Sequence, residues 1–122
     1  MRYLMVHKLD ESDPQAWNPS PEFIERMGAF MGEVAATGVL PAAEGVHQSD
    51  QGAIIRKSKA GLSVTDGPFA EAREVIGGFA LVKVDSKEQA IELGSRFADL
   101  FPEVSVEVRR VFEEEDFAPA GE

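Results

Sequence analysis

The sequence predicts a single α+β domain of the split βαβ type with one extra hairpin, and three observations carry that prediction. Residues 23–34 and 90–101 repeat apolar side chains at spacings of three and four, the period of a helix with one greasy stripe. Residues 2–8, 53–57, 62–65, 78–84 and 104–108 are short β-prone runs set off by Gly, Pro, Ser and Asp. Their order is strand, helix, hairpin, strand, helix, strand, which lets two helices cover one face of a sheet. A chain of 122 residues supplies one core and needs no second domain.

The first strand, Arg2 to Lys8, is largely apolar on both faces, with Tyr3, Met5 and His7 on one and Leu4 and Val6 on the other. That pattern belongs to a central strand. Asp10 to Asn18 reads as a polar loop containing Pro14. Ser20-Pro21-Glu22 then supplies an N-cap, a first-turn proline and an early acid. The helix that follows carries Phe23, Met27, Phe30, Met31 and Val34 along one side, against Glu22, Glu25, Arg26 and Glu33, and Gly38 is expected to close it in a left-handed conformation. Val39 to Val46 forms an extended edge piece interrupted by Pro41. Ala53–Lys57 and Leu62–Thr65, joined through Gly61, form the hairpin. Gly78 to Val84 is a strand, and Ser86 with Gln89 makes a capping box for a second helix that buries Ala90, Leu93, Gly94, Phe97 and Phe101 until Pro102 stops it. The last strand sets Val104, Val106 and Val108 against Ser105, Glu107 and Arg109.

Two helices cover one face only, so the apolar groups that the first and fourth strands carry on the other face leave a patch larger than soluble monomers usually show. A homodimer closed sheet against sheet is the expected remedy. A formal charge of −10 sets a repulsive field against phosphate backbones and argues against nucleic acid as a partner. With no cysteine, disulfides and thiolate chemistry are excluded. No leader-like segment or run of roughly 20 apolar residues appears, so the expected setting is cytoplasmic, with no membrane partner. No glycine pattern for a nucleotide follows a strand, and no cysteine and only two histidines are present, so neither cofactor nor metal is expected.

The most specific run is Thr65-Asp66-Gly67-Pro68-Phe69-Ala70-Glu71-Ala72-Arg73-Glu74, closing on Gly77-Gly78-Phe79. It resembles the signature of the YCII-related, DGPF-type proteins. Arg2 to His7, Glu44-Gly45-Val46-His47 and Val106 to Phe112 fit the same pattern. The resemblance implies a ferredoxin-like domain over residues 1–112, followed by an acidic tail at 113–122. It also implies a dimeric α+β barrel with a pocket between the open sheet face and the signature loop.

Asp66 has two readings, a turn-forming acceptor for downstream backbone N–H groups or a general acid or base held by the rigid Gly67-Pro68 pair. Histidine as a residue type can exchange a proton at physiological pH, and YCII-type members are understood to use a His–Asp pair as acid and base, so the resemblance points to His47 with Asp66 as a catalytic dyad. A merely structural histidine is the other reading. His7, Arg56, Gly67, Pro68, Phe69 and Arg109 are candidate ligand-binding residues. His7 would face the dimer cavity, or be a satisfied core group. Arg56 and Arg109 would take a small organic acid or a phenolic ligand, or pair with Glu107 or Glu71. Glu71 and Glu74, three apart, are read as solvated capping acids rather than cation ligands. Phe117 is a candidate partner contact within a tail that is otherwise solvated.

Two functions fit. One is a cofactor-free small-molecule enzyme of isomerase, lyase or dehydrohalogenase type using His47 and Asp66; the other is a non-catalytic ligand-binding or regulatory dimer. Two titratable groups within hydrogen-bond reach in a cavity would mark the enzyme.

Overall fold

The computed structural model describes residues 1–69 and 73–117. Among them lie six strands, β1 (Arg2–Asp10), β2 (Ala42–Gly45), β3 (Ala53–Ser58), β4 (Gly61–Asp66), β5 (Glu74–Lys83) and β6 (Ser105–Arg110), and two α-helices, α1 (Pro21–Ala36) and α2 (Lys87–Ala98). Four strands form an antiparallel sheet of order β2-β5-β1-β6, while β3 and β4 form a separate two-stranded sheet. Counting only the four sheet strands, this is the ferredoxin-like order, with the hairpin inserted between the second and third. The β1 strand is central, as its two apolar faces require.

Helix ends follow the expected chemistry. The Ser20 hydroxyl accepts from Phe23 N at 3.1 Å, Pro21 occupies the first turn, and Gly38 takes φ +78 just past the last turn. Ser86 accepts from Gln89 N at 3.1 Å, but the Gln89 side chain accepts from Asp85 N at 2.9 Å, one residue before the cap that a strict capping box would use. The α2 helix ends at Ala98 rather than at Phe101. Phe101 N and Leu100 N instead close turns on Ala98 and Phe97, as suits backbone running toward Pro102. The loop after β1 holds one 3-10 turn at Pro14–Trp17, capped by Asp13.

The β5 strand starts at Glu74, four residues before the expected Gly78, because a bulge absorbs Gly77 and pairing continues through Lys8 with Ile76 and Leu9 with Val75. Tyr3, Met5, Val82, Val84 and Ala90 form the core, with Leu93, Val106 and Val108 packed on it. Strand alternation places Tyr3, Met5 and His7 on the helix side with Ala80, Val82, Val106 and Val108. On the opposite side lie Leu4, Val6, Phe79 and Leu81, flanked by the ion pairs Lys8–Glu107 (3.3 Å) and Arg109–Glu107 (3.0 Å).

The acidic stretch after β6 is not simply solvated. Arg2 donates to both Glu113 carboxylate oxygens at 3.1 Å, and Arg110 pairs with Asp116 at 3.1 Å. Glu114–Phe117 winds into a 3-10 turn, and Phe112 stacks on Phe117 at 5.0 Å. No helix among the described residues is long and apolar enough to cross a membrane.

Candidate functional site

His7 is built into the sheet by the residues opposite it. Its register partners are Gly78 on β5 and Val106 on β6. A Cβ at Gly78 would lie 2.6 Å from His7 Cε1 and 2.7 Å from the Glu44 carbonyl oxygen, and one at Gly77 would lie 2.8 Å from His7 Nε2. The Gly-Gly pair therefore reserves the space that the imidazole occupies. The ring faces α2, 5.2 Å from Phe97 and 5.6 Å from Phe101 between centroids. Of the two readings of His7, a group facing the dimer cavity or a core group, the second is the one compatible with a ring on the helix-covered side. Its alternation with Leu4 and Val6 was legible, but which of the two faces the helices cover was not.

Around this ring a cleft of about 340 Å³ separates α1 from the sheet. The α1 helix contributes Phe23, Met27, Phe30, Met31 and Val34, the stripe seen in the sequence. It reaches α2 through Phe23 on Phe101 (4.9 Å), Phe30 on Phe97 (6.3 Å) and a Glu33–Arg96 ion pair at 2.8 Å, with Arg96 also lying 5.2 Å over the Phe30 ring. Those side chains hold the two helices together and leave room beneath α1. Among the described lining residues His7 and Glu44 are the only ionisable side chains, and no Lys or Arg is among them.

Burial lowers the His7 pKa from its ordinary value, so the ring is neutral at neutral pH. No described buried side-chain nitrogen or oxygen lacks a hydrogen-bond partner. Among the described residues the His7 side chain makes no hydrogen bond, and it lines the cleft. A neutral imidazole offers one donor and one acceptor there.

The signature loop is held elsewhere and by other residues. Ser49, only 6% exposed, donates its hydroxyl to Glu11 Oε1 and its backbone N–H to Glu11 Oε2 at 2.9 Å. The same hydroxyl accepts from Phe69 N at 2.8 Å, while Gly67 N donates to the Gly52 carbonyl at 2.9 Å. A Cβ at Gly67 would overlap the Ser49 carbonyl oxygen outright and lie 2.5 Å from its carbon, so only glycine fits. The Gly67–Pro68 peptide bond is cis. Neither Glu11 nor Ser49 stood out in the sequence, being single polar residues in polar segments with no spacing to mark them.

The remaining candidates are dispersed. His47 follows β2 and Asp66 ends β4 opposite Ala53; both are exposed, and neither lines the cleft. No ion pair joins them among the described residues. Arg56 stands exposed opposite Ser63 on the hairpin. Arg109 takes the ion-pair role with Glu107, at 3.0 Å. Pro68 is exposed and Phe69 half-buried against the Ser49 segment. Glu74 accepts from Ser105 Oγ at 2.7 Å, and Glu71 lies outside the described residues. Among the described residues no three His, Cys, Asp or Glu side chains cluster to hold a metal.

A family model described as the YCII-related domain matches residues 1–115. The chain is also 28% identical over 112 residues to an uncharacterized protein of Rhizobium meliloti (strain 1021), covering 89% of this chain and 90% of that one.

Proposed function

This chain belongs to the YCII-related domain family, and from that premise we propose that it binds a small, neutral, largely aromatic molecule of phenolic type in the cleft between α1 and the sheet. One observation carries the reading: an apolar cleft of about 340 Å³ has a single neutral imidazole, His7, opening into it. That volume lies at the small end of the 300–1,000 Å³ typical of ligand pockets, which are apolar with a few polar groups fixing orientation. Phe23, Phe97 and Phe101 offer ring faces and edges, and Met27 and Met31 supply adaptable contacts.

The lining disfavours an organic acid. A carboxylate entering the cleft would lose its hydration with no cation to receive it, and Glu44 at the wall would repel it. A phenol loses far less, and its hydroxyl can donate to or accept from the His7 ring.

Titration of the purified protein with 1-naphthol and 1-naphthoate at pH 7, followed by calorimetry and by the His7 ring signals in NMR, tests this. Naphthol is expected to bind at least tenfold more tightly and to shift His7. His7→Phe should weaken naphthol about tenfold, the loss of a hydrogen bond worth about 1.5 kcal/mol. Met27→Trp, which fills the cleft, should abolish binding. Equal or tighter binding of naphthoate, or naphthol binding that survives Met27→Trp, sinks the proposal.

A further inference from the structure

We infer that Gly45 is the specificity-determining residue of the cleft: it keeps open a lane beside His7 that a flat aromatic ring can enter and a puckered ring cannot. On the helix side of the sheet β2 and β5 meet in two cross-strand pairs, Ala43 with Ala80 and Gly45 with Gly78. Neither pair carries anything larger than a methyl group. The rest of the floor presents the longer side chains of Met5, Val82 and Val106 to the same cleft. Over β2 and β5 the floor is therefore nearly bare peptide, and a glycine within a strand often marks such a close approach of ligand to backbone.

His7 stands at the end of this lane. It and Gly45 flank Gly78, which is the register partner of both. A Cβ on Gly78 would lie 2.6 Å from His7 Cε1 and 3.1 Å from Gly45 Cα, so the imidazole edge and the Gly45 backbone border one small space. A Cβ on Gly45 itself would meet only the Gly77 carbonyl oxygen among the described residues, at 3.8 Å, an ordinary van der Waals contact. Gly45 has no positive φ either, so neither its packing nor its backbone conformation requires a glycine. What a side chain there would take away is the open space beside the imidazole.

The inference rests on the phenol-binding reading and narrows it to planar phenols. Between the peptide floor and the α1 side chains Met27 and Phe30 across the cleft, a flat ring can lie with both faces covered and its hydroxyl directed along the sheet to the imidazole. A saturated ring of the same carbon count is thicker, so either the floor or α1 must give way to admit it. Selectivity of this kind comes from excluding the wrong shape rather than from an added attraction. It also gives the Glu44-Gly45-Val46-His47 stretch a part in the cleft through its glycine, although its histidine lies outside.

Calorimetry of the full chain with 1-naphthol and with decahydro-1-naphthol, which has the same carbon skeleton and a hydroxyl but no flat ring, tests this. The wild type should favour 1-naphthol by about tenfold or more, the scale on which pockets reject a small misfit. Gly45→Val should weaken naphthol by about tenfold or more and cancel its shift of the His7 ring signals, with Gly45→Ala falling between. Both variants should match or exceed the wild-type urea midpoint, since the added atoms enter open space. Ala42→Val, on the same strand but opposite Leu81 on the helix-free side, should bind naphthol as the wild type does. A lowered midpoint for both Gly45 variants would mean that the space beside His7 is filled, and overturns the inference. So does equal affinity for the two alcohols, or naphthol binding by Gly45→Val within about twofold of wild type; the phenol reading outlives either result if His7→Phe and Met27→Trp still weaken naphthol. A wild-type protein that binds no naphthol overturns both.

Discussion

Gly67→Ala separates the packing role of the signature loop from any chemical one. The added methyl meets backbone atoms of Ser49 rather than a side chain that could rotate away, so the loop must lift. Lifting breaks the bonds from Gly67 N to Gly52 O and from Phe69 N to Ser49 Oγ, each worth about 0.5–1.5 kcal/mol. It also uncovers part of the half-buried Phe69 ring, adding about 1 kcal/mol. The expected loss is about 2–4 kcal/mol, a shift of about 1–2 M in a urea midpoint if the slope is about 2 kcal/mol/M. Gly28→Ala is the matched control: its Cβ would meet nothing within 4 Å in the interior of α1, so it should stabilise by about 0.5–1 kcal/mol. Both are read by urea unfolding at one fixed protein concentration, with exchange at Phe69 N–H reporting the loop itself. A Gly67→Ala midpoint within about 0.2 M of wild type, with Phe69 N–H still protected, would refute the packing argument.

Stability should fall in two separate pH windows. Burial lowers the His7 pKa, so the folded state resists taking up this proton. Its contribution is fully present above the ordinary imidazole value near 6.5 and declines as pH drops below it. His7→Phe should remove that first decline in a pH series of urea midpoints. Glu113, Glu107 and Asp10 are held low by hydrogen bonds from Arg2, from Arg109 and Lys8, and from Ser12 respectively. Their contribution is therefore present at neutral pH and is lost only as pH falls through the carboxylate range below about 4.5. Glu113→Gln should release the Phe112–Phe117 turn, seen as severalfold faster chymotrypsin cleavage there; an unchanged rate would mean the Arg2 contact does not hold the turn. His47→Ala and Asp66→Asn should leave naphthol binding within twofold of wild type, because neither residue lines the cleft. A tenfold loss would bring those two residues into the site.

Much of the fold was legible because its signals are local. Ser20-Pro21 and Ser86 start helices by supplying oxygens to free N–H groups, and Gly38 ends one by tolerating a positive φ. The valine alternation of β6 settled its faces. What escaped was set by contacts distant in sequence. The early start of β5 depends on a bulge opposite His7, and the room for His7 depends on Gly77 and Gly78, seventy residues away in the chain. The Gly-Gly pair was noticed as the start of a strand, when its sharper meaning was a bulky ring on the neighbouring strand. His47 and Asp66 drew attention through their chemistry and their family pattern, while the residues that line the cleft looked like ordinary core.

Glu11, Ser49 and Phe69 are clasped together although 38 and 20 positions separate them along the chain. The shape of the Asp-Gly-Pro-Phe bend is thus borrowed from two other stretches of polypeptide. It should be among the last parts to order as the chain folds, since its clasp closes only once those stretches have arrived. A synthetic peptide spanning the bend alone would lack the carboxylate and hydroxyl that give it form.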